Sequence, residues 1–166
     1  MNRHPGGEAQ TLQLLKYVKL RKGMEALDLG AGEGETVRIL RSLGINAHGV
    51  DLSPRSRDVQ KGDFLNLDYT AESMDLCISQ CAFFVSGDQQ KAVSECWRVL
   101  KKGGVFALND DMKQKMYGDM EGFAQKLRDM GYEEVRLVDT AQEAFGSHRR
   151  AAMMMLGSSR LLVGRK

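Results

Sequence analysis

The sequence predicts an α/β fold in which a mostly parallel sheet is covered by helices on both faces. Short apolar segments such as Val105–Leu108 alternate along the chain with longer segments whose apolar residues recur at helical spacing. Glycines and capping residues separate these segments, and neither Pro5 nor Pro54 lies inside a periodic one. Nearly continuous apolar strands that alternate with helices are typical of sheets whose strands are buried on both sides.

In the first half of the chain, apolar spacing predicts two helices and three strands. Leu12 and Leu15 recur at helical spacing in the first helix, and Val37 and Leu40 do so in the second, which Gly44 ends as a C-cap. The third strand is very short. In order, the predicted elements are a helix over 8–20, a strand over Met24–Leu29, a helix over Glu35–Leu43, a strand over Ala47–Leu52 and a strand over Val59–Gly62.

In the second half, two capping boxes predict helix starts, Ser86 with Gln89 and Thr140 with Glu143. Gly131 ends a further helical face. Gly103 and Gly104 precede an apolar strand. In order, the predicted elements are a strand over Asp75–Ser79, a helix from Ser86 to Leu100, a strand over Val105–Leu108, a helix over Met120–Met130, a strand over Val135–Val138, a helix from Thr140 to about Leu156 and a strand over Leu161–Val163.

The composition is ordinary for a globular protein and favours one domain over residues 1–166, with residues 1–22 as an amino-terminal helix or lid segment. Of 166 residues, 42% are hydrophobic and 28% are charged. The net charge of +2 is too small to indicate a nucleic-acid partner, because such proteins usually concentrate basic residues in a stripe. We therefore expect no nucleic-acid partner.

The sequence argues against a membrane protein, a disulfide-stabilised protein and a metal-binding protein. No segment approaches about 18 consecutive apolar residues, and the amino-terminal segment lacks the apolar core of a secretory signal. Three cysteines without metal-ligand spacing argue against a disulfide framework and against a zinc site. The sequence therefore predicts a protein of the reducing cytoplasm without membrane contact or bound metal, as a monomer or homodimer.

A glycine-rich loop follows the first predicted strand and opens a helix. It consists of Gly30, Ala31, Gly32, Glu33 and Gly34. Glycines allow a tight turn and the close approach of a ligand to the backbone, and the helix start offers unpaired N–H groups. The loop therefore predicts a binding site for a polar or charged edge of a ligand.

Charge beside this loop separates two classes of ligand. A dinucleotide fingerprint requires glycine at the position that Glu35 occupies. The carboxylates of Asp28, Glu33 and Glu35 would repel a pyrophosphate and favour a cationic cofactor such as S-adenosylmethionine. Asp51 follows Gly30 by about 20 residues, where a carboxylate accepts hydrogen bonds from ribose hydroxyl groups of many nucleosides.

At these residues the chain resembles the class I S-adenosylmethionine-dependent methyltransferases. The resemblance covers most of residues 24–110, and the order of elements continues it to the carboxyl terminus. The matching segments are Leu27–Gly34, Gly49–Ser53, Gly62–Phe64, Met74–Ile78 and Glu95–Gly104. As a set these segments are specific, whereas the glycine loop alone is less so.

The resemblance implies a Rossmann-like, doubly wound sheet of about seven strands whose last strand is antiparallel. It also implies S-adenosyl-L-methionine as the cofactor, with its methionine portion at the glycine loop, its ribose at Asp51 and its adenine at Asp63 and Phe64. Ser79 and Gln80 would lie near the reacting methyl group. The implied cofactor-binding residues are Asp28, Gly30, Ala31, Gly32, Gly34, Asp51, Leu52, Asp63, Phe64, Ser79 and Gln80.

One segment departs from the family pattern. Most members carry a full helix between the aspartate that binds ribose and the aspartate that binds adenine. Here only residues 53–62 separate Asp51 from Asp63. We expect this helix to be lost or reduced to a turn, which would leave the adenine face more open.

Four residues are candidates for catalysis: His4, Gln80, Cys81 and Asp110. Because the sulfonium methyl group is already activated, the main task of the protein is to position an acceptor for in-line attack. Residues 79–82 stand where many amino-group methyltransferases carry an Asn/Asp-Pro-Pro-Tyr motif, which disfavours DNA adenine and protein glutamine as acceptors. Alternative interpretations are a pocket wall for Cys81, a solvated turn for Asp110 and an exposed terminus for His4.

The sequence thus predicts methyl transfer from S-adenosylmethionine to a small-molecule acceptor. Two alternatives stay open. The first is a non-catalytic domain that binds S-adenosylmethionine or regulates through it. The second, disfavoured by Glu35 and the acidic loop, is a NAD-dependent oxidoreductase.

Overall fold

A computed structural model describes residues 7–109, 120–139 and 160–166. The helices are α1 (Gly7–Leu15), α2 (Glu35–Ser42), α3 (Gln89–Val99) and α4 (Met120–Asp129), and a 3₁₀ segment covers Phe83–Ser86. The strands are β1 (Glu25–Leu29), β2 (Asn46–Asp51), β3 (Gln60–Lys61), β4 (Met74–Gln80), β5 (Leu100–Asn109), β6 (Glu133–Asp139) and β7 (Arg160–Arg165).

The strands form one seven-stranded sheet in the order β3-β2-β1-β4-β5-β7-β6. Strands β1 to β5 pair in parallel. Strand β7 lies between β5 and β6 and is antiparallel to both. The predicted Rossmann-like, doubly wound sheet with an antiparallel last strand is confirmed.

Two apolar cores lie on opposite faces of the sheet because side chains alternate along each strand. Ala26 of β1 packs with α1 and α2, whereas Leu27 packs with α3 and α4. In β4, Leu76 likewise packs in the core with α1 and α2, and Cys77 packs in the core with α3 and α4. The central strands are therefore buried on both sides, as their continuous apolar sequences predict.

Helix α1 is shorter than the predicted helix over 8–20. After Leu15, the N–H groups of Lys16, Tyr17 and Val18 donate to carbonyl groups three residues earlier, which tightens the last turn and ends the helix. Val18 is still buried in the core beside α1 and α2. The apolar spacing that predicted this helix therefore continues past Leu15, where the α-helix itself ends.

Two other predicted boundaries were wrong. Strand β5 begins at Leu100, and Gly103, with a φ of +76°, lies where the β4–β5 pairing shifts register. The helix start expected at Ser86 lies at Asp88, whose side chain accepts a hydrogen bond from the Lys91 N–H. Gly87, with a φ of +80°, separates Ser86 from that helix.

The shortened connection after β2 contains no helix, as expected. Asp58 in this connection forms ion pairs with Arg38 and Arg41 of α2, at 3.2 and 2.8 Å. These guanidinium groups hold the pKa of Asp58 below its usual value, the hydrogen bond from Arg38 being the largest cause. These ion pairs thus hold the connection against α2, where a helix would otherwise pack.

The helix predicted from Thr140 to about Leu156 lies outside the described residues. Within the described ranges, no helix has the length and apolar character needed to cross a membrane.

Candidate functional site

The glycine loop lies where the chain changes sides in the sheet. After β1 the chain adds β2 and β3 on one side, and it then crosses to place β4 on the other side of β1. At such a switch point the connections diverge and leave a crevice outside the carboxyl ends of the two strands. Gly30 follows β1 and Gln80 ends β4, so both predicted segments lie at this position.

The loop has backbone conformations that only glycine adopts readily. Gly30, Gly32 and Gly34 have φ values of +76°, +50° and +73°. The N–H groups of Gly30 and Ala31 both donate to the Val50 carbonyl oxygen, at 2.9 and 3.0 Å. Gly34 is the N-cap residue of α2 and, as a glycine, has no side chain that could cap that helix. The loop is therefore tied to β2, and its N-cap residue makes no side-chain bond to the first turn of α2.

Two glycines are required by close packing. A Cβ atom on Gly30 would overlap the Cβ atom of Ala82, and it would lie 3.7 Å from the ring of Phe64. Gly49 of β2 was not among the predicted site residues. A Cβ atom there would lie 2.8 Å from both Ala31 Cβ and Val37 Cγ2. A glycine within a strand is itself a signal of such close approach.

The Asp51 carboxylate joins the end of β2 to the glycine loop. Its Oδ2 atom accepts a hydrogen bond from the Gly32 N–H at 2.9 Å, and its Oδ1 atom accepts one from the Ser53 N–H at 2.8 Å. The residue is half-buried. Because each carboxylate oxygen carries two lone pairs, both oxygens keep capacity for a further hydroxyl donor.

Asp28 lies in β1, two residues before the loop, and is 3% exposed. Burial raises the pKa of its carboxyl group to about 7, and the negative charge of Asp51 adds to this effect. A carboxyl group with this pKa changes charge near neutral pH. The ionisation of Asp28 therefore depends on any charged group that binds beside it.

The residues predicted for adenine flank the shortened connection. Leu52 is 64% exposed, which leaves an apolar side chain uncovered next to Asp51. Phe64 is buried against Phe83, with parallel rings whose centroids are 6.0 Å apart. Asp63 is exposed, and its Oδ1 atom accepts a hydrogen bond from the Leu65 N–H at 2.8 Å.

Ser79 is fully buried, and its hydroxyl donates to the Leu29 carbonyl oxygen at 2.9 Å. The contact expected between Ser79 and a cofactor stays a prediction, and in this structure the side chain bonds to β1. The resemblance located the residue at the end of the right strand. It did not show that the hydroxyl group joins β4 to β1.

Gln80 connects three elements at the carboxyl end of β4. Its Nε2 atom donates to the hydroxyl groups of Thr11 in α1 and Thr36 in α2, both at 2.9 Å. The Oε1 atom of this buried amide has no hydrogen-bond partner among the described residues. Sequence reasoning missed both threonines, because nothing in their local pattern distinguishes them from ordinary helix residues.

Cys81, which follows β4, has an unusual backbone conformation for a residue other than glycine. It has a φ of +56°, and its N–H donates to the Asn109 carbonyl oxygen at 2.8 Å. Its side chain is half-buried, whereas Cys77 and Cys96 are buried in the core. The other two catalytic candidates, His4 and Asp110, lie outside the described residues.

Arg55 was also missed by sequence reasoning. Its N–H donates to the Gly32 carbonyl oxygen at 3.0 Å, so the shortened connection is bonded directly to the glycine loop. In the described part of the chain, no group of three or more His, Cys, Asp or Glu side chains has the arrangement of a metal site.

Comparison with known proteins agrees with this architecture. The family model for a methyltransferase domain matches residues 27–108, which include the glycine loop and the strands on both sides of it. This match and the architecture support a class I S-adenosylmethionine-dependent methyltransferase. The matched residues include Asp28, Asp51 and Gln80.

Methyltransferases with different acceptors are similar to this chain. A sarcosine/dimethylglycine N-methyltransferase of Halorhodospira halochloris is 29% identical over 147 residues, which are 68% of this chain and 53% of that protein. A malonyl-[acyl-carrier protein] O-methyltransferase of Pectobacterium atrosepticum is 30% identical, covering 57% of this chain and 42% of that protein. The chain thus spans about half the length of these curated relatives.

A 25S rRNA adenine methyltransferase of Schizosaccharomyces pombe is 26% identical, with 69% of this chain and 36% of that protein covered. Among solved structures, a Haemonchus contortus phosphoethanolamine N-methyltransferase in complex with S-adenosyl-L-methionine has a TM-score of 0.75 at 17% identity. That match covers 98% of this chain and 53% of that one. It shows a shared fold.

Proposed function

We propose that this chain binds S-adenosyl-L-methionine at the glycine loop and transfers its methyl group to a small molecule. The observation that carries this proposal is the fixed Asp51 carboxylate beside three glycines of positive φ. Such a carboxylate accepts ribose hydroxyl groups, and the glycines let a ligand approach the backbone.

The charges at this site favour a cationic cofactor. Asp28 and Asp51 lie close enough to raise the pKa of Asp28, and Glu33 and Glu35 flank the start of α2. A bound sulfonium and ammonium group would offset this crowding of negative charge, whereas a pyrophosphate would add to it. The same charges disfavour the NAD-dependent alternative.

The adenine end of the proposed site is apolar and open. The exposed Leu52 side chain offers a surface for a base on one side of the crevice, and Phe64 lies beside Gly30. We retain Asp63 as a partner for the adenine amino group, because its carboxylate is exposed. We also retain Ser79 near the reacting methyl group, where its buried hydroxyl group bonds to the Leu29 carbonyl oxygen and joins β4 to β1.

When bound, the cofactor supplies a methyl group that is already activated for nucleophilic attack. The residues of this chain then have to orient the cofactor and exclude water. Gln80 fixes the position of α1 through Thr11 and that of α2 through Thr36. We propose that the amino-terminal segment 1–22 covers the site from this anchor.

Replacement of Asp51 by alanine tests the cofactor site. Loss of the hydrogen bonds to ribose is expected to weaken S-adenosylmethionine binding by about 1.5–3 kcal/mol, which calorimetric titration measures. Asp68→Ala removes an exposed carboxylate elsewhere and serves as the matched control. Equal affinity of the Asp51 variant and the wild type would remove Asp51 from the site.

The activity itself is tested with methyl-labelled S-adenosylmethionine. We expect label to enter a small molecule from a pool of amines, carboxylic acids and thiols, and the Asp51→Ala variant to slow that transfer. Transfer to RNA alone would contradict the small-molecule acceptor. Binding of the cofactor without transfer in any pool would favour the non-catalytic alternative.

A further inference from the structure

A cavity lies at the end of the sheet opposite the glycine loop. Its volume is about 250 Å³. The residues that line it come from the connection before β1, from the amino-terminal ends of β4 and β5, and from the carboxyl-terminal end of β7. Its charged lining residues are Lys19, Arg21, Asp75, Lys102 and Arg165.

The sheet topology explains why these cations meet. Strand β7 runs antiparallel to β5, and Arg165 near its end pairs with Val105 near the start of β5. Lys102 precedes Val105 in the same strand. The short connection between α1 and β1 brings Lys19 and Arg21 to this end of the sheet.

Among the side chains that line the cavity, four carry a positive charge and one, Asp75, carries a carboxylate that is already engaged. The Oδ2 atom of Asp75 accepts hydrogen bonds from the Glu25 N–H at 2.8 Å and from Lys101 Nζ at 2.9 Å. Within the described part of the chain, no side-chain carboxylate forms an ion pair with Lys19, Arg21 or Lys102, and the charge of Arg21 contributes to the lowered pKa of Asp75.

Arg165 also keeps donor capacity. Its Nε atom lies 3.5 Å from Glu134 Oε2, and this buried atom makes no hydrogen bond in the described structure. The Glu134 side chain is 58% exposed, so water screens the pair. An anion in the cavity would therefore contact the charged groups of Lys19 and Lys102 and the guanidinium group of Arg165.

We propose that this cavity binds a phosphate or diphosphate group of a small ligand. Lysine and arginine are the residues that bind phosphate oxygens, as point charges and as planar donors respectively. Its volume is below the range of about 300–1,000 Å³ that holds a whole drug-sized molecule, so it suits one charged end of a ligand. The site is separate from the acidic crevice that the cofactor is proposed to occupy.

Titration calorimetry with inorganic diphosphate tests this site in the complete chain. We expect saturable binding with one diphosphate per chain, and binding at least about tenfold weaker in the Lys19→Gln/Lys102→Gln double variant. Lys91→Gln/Lys126→Gln is the matched control, because it removes two exposed lysine charges from α3 and α4. Its affinity should equal that of the wild type.

The methyl resonance of Met24 gives an independent local signal, since Met24 lines the cavity. We expect diphosphate to shift it in the wild type and in the control. No saturable binding, or equal weakening in both double variants, would overturn the proposal. Binding of single-stranded RNA but not of diphosphate would also overturn it, in favour of a nucleic-acid surface.

Discussion

Replacement of Gly30 by alanine is expected to abolish binding of S-adenosylmethionine and to destabilise the fold. The added Cβ atom would overlap Ala82, and residue 30 has a φ of +76°. The left-handed backbone and the overpacking together are expected to lower the free energy of unfolding by about 2–4 kcal/mol. Urea denaturation measures this loss, and calorimetric titration measures the binding.

Gly103→Ala is the matched control for this variant. Gly103 has the same φ of +76°, but a Cβ atom there would meet nothing within 4 Å. We expect it to lose only about 1 kcal/mol from backbone strain and to bind the cofactor normally. If Gly30→Ala were no less stable than Gly103→Ala and bound the cofactor equally well, the close contact at Ala82 would have no role.

Replacement of Asp28 by asparagine is expected to raise the stability of the fold at pH 8. Burial raises the pKa of Asp28 from 3.8 to about 7, so the folded state keeps a proton that the unfolded state releases between these values. Stability is therefore lost as the pH rises through this range. At about 1.4 kcal/mol per pKa unit, the charged carboxylate costs up to about 4 kcal/mol above pH 7.

The asparagine variant avoids this cost at pH 8 and gains nothing near pH 4, which urea denaturation at the two pH values measures. Asp75→Asn is expected to have the opposite sign at pH 8. Although burial raises the pKa of Asp75, the Glu25 N–H and Lys101 lower it further, so its carboxylate stabilises the fold. A destabilised Asp28→Asn variant at pH 8 would contradict this interpretation.

The same substitution separates stability from function. A cation bound beside Asp28 stabilises its ionised form, so wild-type affinity for S-adenosylmethionine should increase as the pH rises toward 7. In the asparagine variant this pH dependence should disappear and the affinity should fall. The ionised Asp28 carboxylate thus destabilises the fold, but it lies where it would attract the positive charge of the proposed cofactor.

The sequence was sufficient to predict those features that depend on local pattern. Glycine spacing located the loop after β1, and the short interval after Asp51 predicted the loss of a helix. The order of apolar segments, together with the family resemblance, predicted the sheet and its antiparallel last strand. The loop and the lost helix are encoded within a few neighbouring residues, whereas the direction of the last strand was implied by the resemblance.

Features that depend on contacts between distant segments were not predictable. The burial of Ser79 depends on its bond to Leu29, which is 50 residues away in the chain. The link from Gln80 to Thr11 spans 69 residues, and the basic cavity combines segments from both ends of the chain. Side-chain orientation on a buried strand is decided by packing, and a single sequence does not show it.

The most direct test of the central claim is calorimetric titration of the wild-type chain with S-adenosylmethionine, S-adenosylhomocysteine and NADH. The acidic glycine loop and Asp51 predict saturable binding of the first two at one molecule per chain, and no binding of NADH. Binding of NADH without binding of either adenosyl compound would contradict the account.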